Sequence, residues 1–243
     1  DVEPVGDLHE VRYPAFRTDV KHQVDIFEDL AIGYGYSRIP SRLVRSMTIG
    51  KARPEEIISQ TAREVLTGLG LTEIMSLNLY SEERQYDKFR MEPDQNHLVV
   101  SNPKTVDQAV IRGHMMAGIM ETFHKNKRKS VPQRIFEIGN IISINPDAET
   151  RTEEFRHLIC AIIGPQAGFA DIRAVVDSLM RELDIAAEYS QSSHPAFLAG
   201  RCASMKGSAG QWGIMGEIHP EVLNNFSLAY PVSLCEICLI RVI

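Results

Sequence analysis

Several segments of this chain read as strands and are joined by brief turns. That pattern constrains the fold more than any other feature. Gln133–Ile138 and Ile141–Ile144 flank Gly139-Asn140, a dipeptide suited to a two-residue hairpin turn. Asn145–Glu154 is polar and reads as a loop. Arg156–Ile163, Arg201–Lys206, Gln211–Ile218 and Ser233–Ile240 read as further strands. An amphipathic helix over Phe169–Leu183 and a short helix over Pro220–Phe226 interrupt them. Strands and helices interleave, yet several strands are joined by short turns. The expected fold class is therefore α+β, a largely antiparallel sheet with helices on its faces.

The first half is more helical. From Asp19, the apolar positions Val20, Val24, Phe27, Ala31 and Tyr34 recur at helical spacing until Gly33 and Gly35 end the pattern. His9–Pro14 alternates like a strand, and Ile39–Ala52 reads as a linker or short edge strand. Pro54 suits a first helical turn, Glu55 and Glu56 suit the positive end of the dipole, and Ile57, Ile58, Ala62, Val65, Leu66 and Leu69 form a stripe. Thr72–Tyr80 then reads as a central strand, Leu98–Val100 as a short strand, and residues 106–129 as largely helical. Residues 1–45 form a strand–helix pair too small to bury a core alone, so they are expected to be a separate unit from 46–243.

The 243 residues carry a formal net charge of −6, which argues against a broad nucleic-acid-binding surface. Leu158–Gly164, among the longest apolar runs, is far too short to cross a bilayer. The chain begins with Asp1 rather than Met and shows no signal-peptide pattern, so it is expected to be a fragment lacking an N-terminal part. Cys160, Cys202, Cys235 and Cys238 are scattered, which favours reduced thiols and a cytoplasmic location. Cys235 and Cys238 form a C-x-x-C within a strand, where residues three apart point to opposite faces and do not chelate one zinc. The eight histidines show no zinc-ligand spacing, and His219, just before Pro220, suits a helix cap.

One helix is unusually acidic. Asp25, Glu28 and Asp29 fall at i, i+3 and i+4, on one helical face, with Asp19 just before it. Like charges so close repel. They suit a cation held by hard oxygen ligands, such as magnesium, or a basic partner surface, or simply a solvated face. Lys125–Lys129 is the one local positive patch, at a helix end where cations interact favourably with the dipole.

Six segments, in order, resemble the phenylalanyl-tRNA synthetase β-subunit family of archaeal and eukaryotic type. They are VRYPAFRTDVKHQVDIFEDLAIGYGYSRIP (11–40), LGLTEIMSLNL (69–79), SNPKTVDQAVIR (101–112), RIFEIG (134–139), HPAFLAGRCA (194–203) and GEIHPEVLNNFSLAYPV (216–232). The resemblance implies the tail of a winged-helix-like domain over 1–45 and a class II synthetase-like core over 46–243. It implies a complex of two α and two β subunits that charges tRNA with phenylalanine, with ATP bound through α. It implies no proofreading by this chain alone. The family's Asp-x5-Asp-x2-Glu-Asp/Glu pattern falls on Asp19, Asp25, Glu28 and Asp29, which implies Mg2+ there. The helix over 54–69 matches the class II interface helix, so Ile57, Ile58 and Leu66 are candidates for subunit contact.

The same resemblance implies a silent core, with no catalytic residue in this chain. Arg134, Phe136 and Glu137, then Arg156-His157, look like the skeleton of an ATP-binding strand–loop–strand. Gly216-Glu217-Ile218-His219-Pro220 replaces the terminal motif and offers no Arg for a γ-phosphate. Arg134 and Glu137 are expected to act as a structural pair. The alternative is a stand-alone paralogue with an amino-acid-binding or regulatory role.

Overall fold

A computed structural model describes residues 1–43, 48–93, 97–207 and 210–239. The chain divides into two compact units, Asp1–Lys51 and Ala52–Ile243. The boundary expected at 45/46 falls within 44–47, outside the described residues, as does the last residue of the strand expected over Ser233–Ile240.

The first unit is a hairpin followed by a helix. β1 (Val2–Val5) pairs antiparallel with β2 (Leu8–Val11). Gly6, at φ +62°, supplies the left-handed residue of the turn. α1 (Gln23–Tyr34) starts four residues later than the apolar spacing suggests, because His22 caps it and Asp25 returns the capping hydrogen bond. No α1 residue is fully buried, and Val24, Phe27, Leu30 and Ile32 are all more than half exposed.

The second unit opens with α2 (Pro54–Gly68), with Pro54 in its first turn as expected. β3 (Thr72–Glu73), β4 (Leu79–Tyr80), α3 (Glu82–Gln85), β5 (Val110–Ile111) and α4 (Met116–Lys125) follow. β6 (Gln133–Ile144), β7 (Thr152–Ile163), α5 (Phe169–Glu182), β8 (Glu188–Gln191), β9 (Phe197–Gly207), β10 (Gly210–Ile218), α6 (Pro220–Asn225) and β11 (Val232–Cys238) complete it. One seven-stranded sheet runs in the order β3-β6-β7-β11-β10-β9-β8, and β4 and β5 form a separate antiparallel pair. Every neighbouring pair in the large sheet is antiparallel except β3–β6. The α+β expectation holds.

Three local expectations do not. No hairpin turn lies at Gly139-Asn140: β6 runs straight through it, in register with β7 from Gln133↔Ile163 to Ile144↔Thr152. The glycine is there for close approach, since a Cβ on Gly139 would lie 2.2 Å from Arg112 Nη2. Thr72–Tyr80 is not a central strand. β3 is only two residues at the sheet edge, and the backbone leaves after Ile74 N–H donates to Phe136 O (2.8 Å). Residues 106–129 are helical only over a short 3-10 turn, Val106–Gln108, and over α4, with β5 between.

The strand period sorts β6, β7 and β11 cleanly onto two faces. Phe136, Leu158, Cys160, Ile162, Cys235 and Ile237 pack against α5 and the buried face of α2, with Ala62, Leu66, Ile172, Val176 and Leu179. Ile135, Ile159, Ala161, Ile163 and Leu234 pack on the other face against α4, with Met116, Ile119, Met120 and Phe123.

Candidate functional site

The α4 face of the sheet carries a cleft of about 440 Å³. β6, β7, β10 and β11 form its floor, and the segment leading into α4 forms one wall. Met91, Ile141, Phe155 and Ile214 give it apolar sides. The polar groups are concentrated at one end. Glu236 on β11 is 7% exposed, and its Oε1 receives His157 Nδ1 from the neighbouring β7 at 2.9 Å. Both Glu236 oxygens also accept the Met115 N–H, at 3.1 Å each, where α4 begins. A carboxylate at a helix N-terminus satisfies an orphan donor and complements the dipole.

These contacts set the charges. Burial alone would raise the Glu236 carboxyl, but the hydrogen bond and charge of His157 hold it below its usual value. Burial alone would lower His157, but hydrogen bonds to Cys238 and Glu236 push it up to about 9. The pair is thus an imidazolium and a carboxylate at neutral pH. Two further histidines line the cleft, and burial lowers the pKa of both. His114 Nε2 lies 2.6 Å from the Gln85 carbonyl, so it carries the proton and Nδ1 is a bare acceptor. That Nδ1 is buried and has no partner among the described residues. His194 Nδ1 accepts the Ala196 N–H at 3.2 Å, so its proton is on Nε2.

Next to the cleft sits a second buried charge pair. Arg112 Nη1 donates to Glu137 Oε1 at 2.7 Å, with each side chain 3% exposed. Ser76 Oγ donates to Glu137 Oε2 (2.6 Å), and Arg112 Nε donates to Asn140 O (2.9 Å). The expected Arg134–Glu137 pairing is therefore corrected. The two stand three apart on β6 and point to opposite faces, and Glu137's partner is Arg112, 25 residues upstream. Cys235 and Cys238 divide in the same way, Cys235 into the α5-side core and Cys238 into the cleft.

The Gly216–Glu217 stretch is occupied structurally. A Cβ on Gly216 would lie 2.5 Å from Arg201 O, and Glu217 Oε1 accepts the Phe169 N–H (2.8 Å) at the start of α5. His219 caps α6 by accepting the Glu221 N–H at 3.2 Å, as expected. Lys125 and Lys127–Lys129 are exposed at and beyond the C-terminus of α4, where they complement its dipole.

In the first unit the acidic residues are already engaged. Arg17 Nη2 lies 2.8 Å from Asp19 Oδ2 and 2.8 Å from Asp29 Oδ2, bridging them. Asp25 Oδ2 accepts the Lys21 and His22 N–H groups, each at 2.8 Å. The Arg17 hydrogen bond lowers the Asp19 pKa, and the two backbone donors lower that of Asp25. Glu28 is exposed and pairs with no described residue. Among the described residues no group of three or more His, Cys, Asp or Glu is arranged to hold a metal. As they stand, the four carboxylates do not fit a magnesium ligand set.

The interface candidates also divide. Leu66 is fully covered by its own core. Ile57 is 59% exposed and Ile58 partly buried. Met75 and Leu77, which follow β3, are 95% and 62% exposed, and Arg63 of α2 is tied to Glu73 of β3 at 2.8 Å. The start of α2 and the segment after β3 each expose apolar side chains.

Residues 39–239 match the family model of the phenylalanyl-tRNA synthetase β-chain CLM domain. The chain belongs to that family. Residues 1–36 match the tRNA synthetase B5 domain. Relatives named phenylalanine–tRNA ligase β subunit include those of Methanococcoides burtonii (36% identical over 227 residues, 93% of this chain and 41% of the relative) and Methanocaldococcus jannaschii (35% over 232 residues, 96% and 42%). That of Archaeoglobus fulgidus is 35% identical over 234 residues (96% and 42%). The chain thus spans about two fifths of the length of these relatives. Sequence reasoning missed the His157–Glu236 pair and Arg112 as the partner of Glu137. No local signal marks either, because the partners are brought together only by strand register and by the turn before α4.

Proposed function

We propose that this chain is the core of the β subunit of a phenylalanine–tRNA ligase. It scaffolds a catalytic α subunit, in an assembly of two α and two β, for ATP-dependent charging of tRNA in the cytoplasm. In this reading 46–243 is a class II synthetase-like core and 1–45 the end of a winged-helix-like domain, with ATP and phenylalanine handled by α. The observation that carries the reading is the family match over residues 39–239, and the exposed apolar side chains of Ile57, Met75 and Leu77 support an assembly role. Four free cysteines are consistent with a reducing compartment. Phosphoryl chemistry needs positioned cations around the developing charge. The described cleft instead presents apolar walls, histidines and one carboxylate, which supports assigning the chemistry to α. Magnesium is proposed only for the assembled enzyme, where release of Arg17 would free Asp19 and Asp29.

The test is phenylalanine-dependent ATP–pyrophosphate exchange with the chain alone and with its cognate α subunit, alongside co-purification. Silence alone, activity with α, and loss of the complex in a Met75→Glu/Ile57→Glu variant are the expected results. Exchange by the chain alone would overturn the reading.

A further inference from the structure

The end of β11 sets a cysteine beside the His157–Glu236 pair. Glu236 and Cys238 stand two apart on one strand and so share a face, the one that lines the cleft. His157 on β7 is the register partner of Cys238 and lies directly opposite it. The His157 ring bonds both side chains: Nδ1 meets Glu236 Oε1 at 2.9 Å, and Cys238 is its other partner. A carboxylate thus holds an imidazolium against a thiol in the wall of a cavity. A neighbouring imidazolium stabilises the thiolate, which is the nucleophilic form of cysteine. The remaining titratable groups that line the cleft are Tyr86, His114 and His194. Burial keeps the two rings neutral, so His157 is the one cation among the lining residues.

The other cysteines lack this arrangement. Cys160 and Cys235 face each other in the core on the α5 side, both fully buried. Cys202 is a matched control. It is 5% exposed against 6% for Cys238, and it borders a different cleft whose lining holds no histidine. Burial pushes its thiol up to about 11.

The Cys238 cleft also contains a group waiting for a partner. His114 lines it, and the buried His114 Nδ1 accepts from no described residue. Buried acceptors are nearly always paired, so a molecule that enters is expected to bring a donor. We propose that Cys238 is an activated thiol and a covalent modification site for a soft electrophilic carbon compound that carries an N–H or O–H donor for His114. His157 stabilises the thiolate, and Glu236 is a positioning residue that orients His157. In the step, the thiol proton passes to solvent and the Cys238 Sγ–carbon bond forms. The bond from that carbon to its leaving group breaks, and the leaving group departs with the electron pair. The inference goes beyond the proposed function and is independent of α, because every group it uses lies in this chain.

The test alkylates the 243-residue chain with iodoacetamide, which carries an N–H donor, across the neutral pH range. Mass spectrometry reads the rate at each cysteine. Cys238 is expected to react roughly hundredfold faster than Cys202 at neutral pH, because far more of it is thiolate. His157→Gln slows Cys238 by roughly tenfold or more and moves the midpoint of its pH–rate profile upward. Cys202 reports on folding in the same experiment, since a variant that unfolds exposes it and speeds its reaction. If His157→Gln does so, the unmodified sequence still decides the matter through the profiles of Cys238 and Cys202. N,N-dimethyl iodoacetamide, which lacks the donor, should react more slowly at Cys238 once both reagents are normalised to free cysteine. That difference should vanish in His114→Phe. The proposal is overturned if Cys238 reacts no faster than Cys202, if His157→Gln leaves its rate and midpoint unchanged, or if the two reagents react alike. Exchange activity with α is a separate readout, so failure here does not touch the proposed function.

Discussion

The two faces of the seven-stranded sheet are covered in opposite ways. On the α5 side, the core is a continuous apolar layer from Ala62 and Leu66 to Leu179 and Ile237. On the α4 side, the apolar cluster shares its space with Arg112, Glu137, Glu236 and three histidines that are wholly or partly buried. The first face needs only volume and shape. The second spends stability on desolvated charges that hold particular segments in place: Glu236 fixes the start of α4, and Arg112 ties β6 to the segment after β5. Buried charge is costly and is useful chiefly where position matters. The comparison therefore separates a face built for packing from one built to shape a cleft.

The strongest way to break this comparison is to remove one member of the Arg112–Glu137 pair. Arg112→Ala is expected to cost about 3–5 kcal/mol in urea unfolding, because Glu137 is left buried and unpaired. The double variant Arg112→Met/Glu137→Leu should recover most of that loss. If the double variant were as unstable as the single one, the pair would be indispensable rather than positional. On the packing face, Leu179→Ala should cost about 2–5 kcal/mol through the cavity it opens. It should leave the methyl NMR signals of Met91 and Met116, which line the cleft, unchanged.

A smaller, pH-dependent effect sharpens the contrast. His157 is raised from its ordinary 6.5 to about 9, so its stabilising contribution is complete below about pH 6.5 and is lost as pH rises through about 9. Glu236 is lowered from 4.5, so its contribution is present above that value and lost as pH falls further. His114 and His194, lowered by burial, oppose folding as pH drops below 6.5. Thermal melts from pH 6.5 to 9.5 should show falling stability that His157→Gln flattens. An unchanged slope would remove the imidazolium from the argument. Smallest of all is the surface: Met75→Glu should change folding stability by no more than about 0.5 kcal/mol while weakening the proposed complex with an α subunit. In the first unit, Arg17→Ala should raise calorimetric magnesium uptake only if Asp19 and Asp29 are ligands held in reserve.

Much of this architecture was legible in the sequence. The short strand-like segments after residue 150 found β7, β9, β10 and β11, and the stripe with Pro54 and the paired Glu55-Glu56 found α2. What failed shares one cause. Gly139-Asn140 reads locally as a turn, but the glycine answers to Arg112, which arrives from elsewhere in the chain. Thr72–Tyr80 alternates like a core strand, yet Ser76 is turned toward Glu137 and the backbone departs with it. The acidic pattern at Asp19–Asp29 was legible as a cluster, whereas the bridging role of Arg17 needed the helix geometry. Within the cleft, His157 was noted only as part of a strand, and Glu236 not at all, since a lone Glu in an apolar strand gives no hint of the helix it will cap.

β11 is the last strand of the sheet in sequence and yet lies at its centre, between β7 and β10, with all seven of its residues buried. During synthesis, β6–β7 and β8–β9–β10 can each pair locally, and each then waits with an open inner edge that invites pairing with other chains. Neither edge closes until residues 232–238 leave the ribosome and slide between them. The latest-made strand is thus the one that ends the aggregation-prone interval, and a ribosome stalled before Val232 releases two half-sheets with nothing to join them.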